Sequence, residues 1–223
     1  MNEKRGLWAA TALFGAITLA TAAWLLMREV PSCGAPPLQA PMLDFEFAAS
    51  RGDFAALLDC APRLAELDMQ NRIDLGLFMW SFGALLLGFA LAAGVRPWLA
   101  VALAGAAVGA DVVETLALRR IAADWPALDA AVVAPLTIAV RIKYAAVGAA
   151  MLVAGRRLWC GGLGRRLVAA LTMLGGAGAA AVILPEGRIA GSLLTLLAWA
   201  AMTGFAAVSA LRSPRPAPSS PAA

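Results

Sequence analysis

The stretch that decides the fold runs from Trp98 to Leu118 and reads WLAVALAGAAVGADVVETLAL. It has the length of a membrane crossing, which takes ~20 apolar residues to cover ~30 Å of hydrocarbon, yet it holds two acids, Asp111 and Glu114. The next apolar stretch, Ala130–Gly155, reads AAVVAPLTIAVRIKYAAVGAAMLVAG and holds two bases, Arg141 and Lys143. A charge at mid-bilayer depth costs about 3 kcal/mol or more unless it is paired or wetted. Charges of both signs on consecutive spans therefore imply a shared polar interior. The chain reads as a multi-pass membrane protein built around an intramembrane charge cluster.

Composition agrees. Of 223 residues, 61% are hydrophobic and 14% charged, whereas a soluble domain carries about 25% charged residues. Mean hydropathy is +0.78. The net charge of +4 suggests nucleic acid at first sight, but the bases flank the apolar spans instead of forming a stripe, so no nucleic-acid partner is expected. Histidine is absent, which removes the commonest general base and metal ligand. Asp111 and Glu114, three residues apart, offer oxygens to a divalent cation, but no third ligand has matching spacing, so neither metal nor cofactor is expected.

Working outward, six spans are read: Leu7–Met27, Ile73–Ala93, Trp98–Leu118, Ala130–Gly155, Leu167–Leu184 and Ile189–Leu211. The expected fold is an all-α integral membrane bundle of about six transmembrane helices with a short extracytoplasmic helical cap. Residues 1–27 form an N-terminal anchor, 28–72 an extracytoplasmic amphipathic segment, 73–211 a five-span bundle, and 212–223 a disordered, proline- and serine-rich cytoplasmic tail. In the outer segment, Ser50-Arg51-Gly52-Asp53 resembles a capping box with Asp in place of Glu, ahead of Phe54, Leu57 and Leu58 on one helical face. Leu43, Phe45 and Phe47 alternate with Asp44 and Glu46, a pattern open to a short strand or a turn. One or two short helices lying on the outer leaflet is the reading taken.

Arg156, Arg157, Arg165 and Arg166 crowd one short connection and place it inside by the positive-inside rule. Both termini are then cytoplasmic, and the compartment is a bacterial inner membrane. Cys33 and Cys60 fall outside, where a disulfide between them is expected, and Cys160 falls inside. The lipid bilayer is the one sure partner; other membrane proteins or self-association remain open.

Residues three apart on a helix share a face, so Asp111 and Glu114 point the same way, together with Ala100, Ala104, Ala107 and Leu118. Gly105 and Gly109 lie opposite, in small-xxx-small spacing, so this helix is expected to be buried on both sides at the centre of the bundle. Arg141 and Lys143 sit about 200° apart on their helix and cannot face one partner. Lys143 is paired with Asp111 and Glu114, while Arg141 is directed to another helix, toward Asp74 or the outer end. Asp74, Thr115 and Tyr144 are the other expected contributors.

No catalytic residue is assigned. The leading expectation is a structural or accessory role, because buried ion pairs often specify helix register without doing chemistry. A transporter of protons or a small solute is the first alternative, since intramembrane acids recur in such relays, and a lipid-acting enzyme is the second.

Three pieces in order, LDFEFAASRGDFAALL at Leu43–Leu58, ADVVETLAL at Ala110–Leu118 and RIKYAAVG at Arg141–Gly148, resemble an uncharacterised family of bacterial multi-pass inner-membrane proteins. The resemblance covers the chain up to Gly155 and implies an amphipathic stretch after the first span, acids in the third and a lysine in the fourth. It carries over to Asp74, Asp111, Glu114 and Lys143. This chain departs from the pattern at Thr115, where the family's motif has asparagine, so a single hydroxyl stands in for an amide. The family brings no activity with it.

Overall fold

The computed structural model describes residues 2–31, 33, 41–58 and 60–212, and every regular element among them is helical. In chain order these are α1 (Asn2–Met27), α2 (Pro41–Glu46), α3 (Arg51–Leu58), α4 (Ala61–Ile73), α5 (Met79–Ala92), α6 (Pro97–Asp124), α7 (Ala130–Leu158), α8 (Leu163–Ala181) and α9 (Arg188–Arg212). The tail expected to be disordered lies outside the described residues from Ser213 on.

Among the described residues, five helical stretches are long and apolar enough to cross a membrane: Glu3–Met27, Ala61–Ala92, Pro97–Asp124, Ala131–Leu158 and Pro185–Arg212. The fifth expected span, Leu167–Leu184, corresponds to α8, which ends earlier, at Ala181. Its 19 residues rise roughly 28 Å, close to the hydrocarbon thickness. It carries Arg165 and Arg166 in its first turn and a glycine- and alanine-rich body, and it is not among those five. The bundle thus consists of six long helices, of which five carry the full signature of a crossing.

The second span also starts earlier than its apolar run suggests. α4 runs without a break into α5 through a single π-helical turn at Asp74–Phe78, closed by the Met79 N–H bonding to the Asp74 carbonyl. Residues 61–72 are therefore continuous with the helix that carries the second apolar run.

Lipid and apolar side chains have similar polarity, so these helices associate through close packing rather than hydrophobic exclusion. Glycine makes that approach between α7, α8 and α9. A Cβ on Gly148 would meet the Gly176 carbonyl oxygen at 2.8 Å, and one on Gly178 would meet the Gly191 carbonyl oxygen at 2.8 Å. On α1, Thr11, Thr18 and Thr21 return their hydroxyls to carbonyls four residues back, and Thr18 also reaches Ser81 of α5 at 3.1 Å. Gly105 and Gly109 of α6 correct the expectation of burial on both sides: they are exposed, and an added Cβ at either would meet nothing within 4 Å. α6 is committed to its neighbours by the acidic face alone.

Within residues 41–58 the regular elements are the two short helices α2 and α3, and they pack onto the bundle. Phe45 and Phe54 are fully buried, their rings edge to face at 6.2 Å, against Leu118, Ile121, Leu136 and Val140 of α6 and α7. The capping box forms: Asp53 Oδ2 accepts from the Ala49 and Ser50 N–H groups, and Ser50 Oγ accepts from the Asp53 N–H. Arg63 is buried, donating to the carbonyls of Pro31 and Ala56, and a disulfide joins Cys33 to Cys60 with Cα atoms 6.2 Å apart. These ties hold α2 and α3 down on one end of the bundle, where α2 delivers Glu46.

Candidate functional site

Lys143 organises the site. Its Nζ lies 2.6 Å from Glu114 Oε1, 3.2 Å from Asp111 Oδ1 and 3.2 Å from Glu46 Oε2. The lysine comes from α7, Asp111 and Glu114 from the shared face of α6, and Glu46 from the end of α2. The small residues that flank the lysine on its face, Ala139, Ala146 and Ala150, are buried, and so are Ala100, Ala104 and Ala107 beside the acids. Alanine on both surfaces lets the two backbones come near enough for the long lysine to be enclosed.

Two neighbours extend the cluster. Tyr144 donates its hydroxyl to Glu46 Oε2 at 2.8 Å and stacks on Phe47 at 5.8 Å. Thr115 donates to Asp74 Oδ2 at 2.9 Å. The π turn is what brings Asp74 round: one extra residue in the turn rotates the helix face by about 100° relative to a regular helix. Thr115 thus serves Asp74 and makes no hydrogen bond to the lysine.

Arg141 is not in the cluster. It is exposed on the outside of α7, as are Ile138, Ile142 and Ala145 around it. The reason is where α8 stops. Gly148, seven residues on and so on the same face as Arg141, presses on Gly176 and Ala180 close to the end of α8 at Ala181, and two turns back, at Arg141, that face has no helix left to meet. The expectation that Arg141 belongs to the cluster is corrected accordingly, and of the two directions expected for it, toward Asp74 or the outer end, the first is corrected too.

Glu46 was not expected from the sequence. It lies outside every apolar run, so counting charges within spans passes over it; only its place between Phe45 and Phe47 marked a strip that turns toward protein.

The cluster forms part of the wall of a cavity of about 240 Å³. Glu46, Asp74, Asp111, Lys143 and Tyr144 supply its polar side; Phe78, Phe82, Val147, Leu196 and Trp199 supply apolar wall. Arg28 reaches its rim while held by Glu66 in a two-point contact at 3.0 and 2.8 Å. Chemically, one ammonium stands among three carboxylates, hydrogen-bonded to Glu114 and ion-paired with Asp111 and Glu46. The second oxygens of Asp111 and Glu114 are buried and have no hydrogen-bond donor among the described residues. No group of three or more acids and cysteines is placed to hold a metal ion among the described residues. The arrangement can hold protons or receive a hydrogen-bond donor from a bound molecule.

Compared with family models, curated proteins and solved structures, the chain has no match, so its function is argued from this geometry.

Proposed function

We propose that this protein is a bacterial inner-membrane transporter of a small solute, with the Glu46–Asp111–Glu114–Lys143 cluster exchanging protons as the solute binds and leaves. The observation that carries the reading is the cavity beside the cluster, with Asp111 in its wall and one oxygen of that carboxylate lacking any donor among the described residues. A purely structural ion pair has no need of adjoining space. The carboxylates of Glu46, Asp111 and Glu114 outnumber the single ammonium, so charge balance at this depth calls for protons or a cationic guest.

With both termini cytoplasmic, the cavity and the α2–α3 cap belong to the outer half of the bundle, and α8 completes an even number of crossings. Membership in the bacterial multi-pass family suggested by the three sequence pieces is part of the same proposal.

A screen of thermal stability in detergent across inorganic ions, organic ions and lipids tests the reading. A solute-dependent rise that disappears in Asp111→Asn, followed by loss of flux in Asp111→Asn proteoliposomes, supports it. A flat response across all classes overturns it.

The structural reading has one observation of its own. Lys143 ties α2 to both α6 and α7, which is how a clamp for the outer cap is built. That role predicts that Glu114→Lys combined with Lys143→Glu restores folding without any effect on solutes.

A further inference from the structure

Among the cavities, charge clusters and exposed faces of the molecule, the Asp111 cavity carries an inference about ligand class, one that rests on the solute-binding reading above. Lys143 is already committed to three acids, hydrogen-bonded to Glu114 and ion-paired at 3.2 Å with Glu46 and Asp111. Asp111 is 1% exposed, its Oδ1 is taken by that lysine, and its Oδ2 has no donor among the described residues. A buried acceptor left unmatched carries a desolvation penalty, so a molecule that brings a donor to this oxygen recovers it.

The charge of the donor follows from the surroundings. Asp74 also lines the cavity, and its one hydrogen bond shown comes from the neutral Thr115 hydroxyl. Arg28, the other base at the cavity, is engaged by Glu66. Acids therefore outnumber available bases at the polar wall, and a cationic donor is favoured over a hydroxyl of the same shape.

The rest of the wall specifies the body of the ligand. Phe82 and Trp199 lie nearly parallel, 16° apart with centroids at 5.9 Å, and Phe78 adjoins both. Trp199 is buried, and its indole N–H has no acceptor among the described residues. An apolar cavity of about 150 Å³ takes benzene, so about 240 Å³ takes a molecule of about ten non-hydrogen atoms.

We propose that the cavity binds a small amphipathic organic amine, its ammonium at Asp111 and Asp74 and its apolar body against Phe82 and Trp199.

The test uses the full chain purified in detergent and three probes of matched size, phenethylamine, phenylethanol and phenylpropionate, each titrated by calorimetry at neutral pH. The amine is expected to bind at least about tenfold more tightly than the alcohol, with the acid weakest, and Asp111→Asn is expected to reduce the amine's advantage to about threefold or less. Because the amine–alcohol contrast is read on the unaltered protein, the result does not depend on the variant folding. Equal binding of amine and alcohol overturns the cationic assignment and leaves the solute site standing. Tighter binding of the acid overturns the assignment and reverses the charge argument. If none of the three binds at millimolar concentration, the amine class is overturned, while the wider solute reading is decided separately by the stability screen.

Discussion

Lys143 Nζ and Glu114 Oε1 meet at 2.6 Å across the α6–α7 interface, where both side chains are shut off from solvent. Removing one partner of such a pair strands the other, which typically costs about 3–5 kcal/mol, while removing both is far milder. Lys143→Met should therefore lower the melting temperature much more than Lys143→Met combined with Glu114→Gln. Equal melting of the single and double variants would show that the lysine does not neutralise this acid, and the proton-exchange proposal would fall with it.

The glycines of the bundle separate into two kinds. Gly148→Val drives side-chain atoms into the Gly176 carbonyl and should destabilise by about 1–3 kcal/mol, read as a lower melting temperature in detergent. Gly109→Val points into open space and should leave the melting temperature within about a degree or raise it. Equal damage at both sites would mean that the outer face of α6 is also packed.

The α3 cap gives a pH signature outside the membrane. The backbone N–H of Ala49, then the side chain and the backbone N–H of Ser50, hold the Asp53 carboxyl below the ordinary aspartate range. A group whose folded value is depressed stabilises fully above its unfolded value and loses that contribution as pH falls through the folded one. Amide protection of α3 should fall on going from neutral pH to about pH 3, and this component should be missing in Asp53→Asn. Ser50→Ala should cost about 1 kcal/mol of local stability at neutral pH, seen as faster exchange in α3.

Cys33 and Cys60 are joined, and Cys160 is free and exposed. Alkylation of denatured, unreduced protein from an oxidising envelope should modify Cys160 alone, and reduction should expose the other two. Three labelled cysteines before reduction would refute the bridge.

Orientation is testable by fusing reporters after Gly34, Arg96, Asp129, Gly161 and Gly187. Cytoplasmic signals are expected at Arg96 and Gly161 and periplasmic signals at the other sites. A periplasmic signal at Gly161 would overturn the arginine-based orientation, and a cytoplasmic one at Gly187 would show that α8 does not cross.

Membrane class, the long helices and the common face of Asp111 and Glu114 follow from the sequence alone. Each depends on quantities local to a stretch: apolar length against bilayer thickness, and a fixed rotation of about 100° per residue. The inward turn of Lys143 is legible in the same way, because alanines surround it on its own face. Which side of a helix meets a neighbour is a different kind of fact. Arg141 lies outside because α8, which packs on its face of α7 at Gly148, ends before reaching it, and Gly109 because α6 has no further helix there; no local pattern records the absence of a neighbour. Glu46 joins Lys143 because the cap folds onto the bundle under Phe45 and Phe54, bringing together residues ninety-seven positions apart. Asp74 enters the cavity wall through one π turn, which a composition typical of an α-helix does not announce. The sequence determined the charges and the faces that bear them; the packing of six helices and a cap decided which charges meet, because helix rotation is local while contact belongs to the whole assembly.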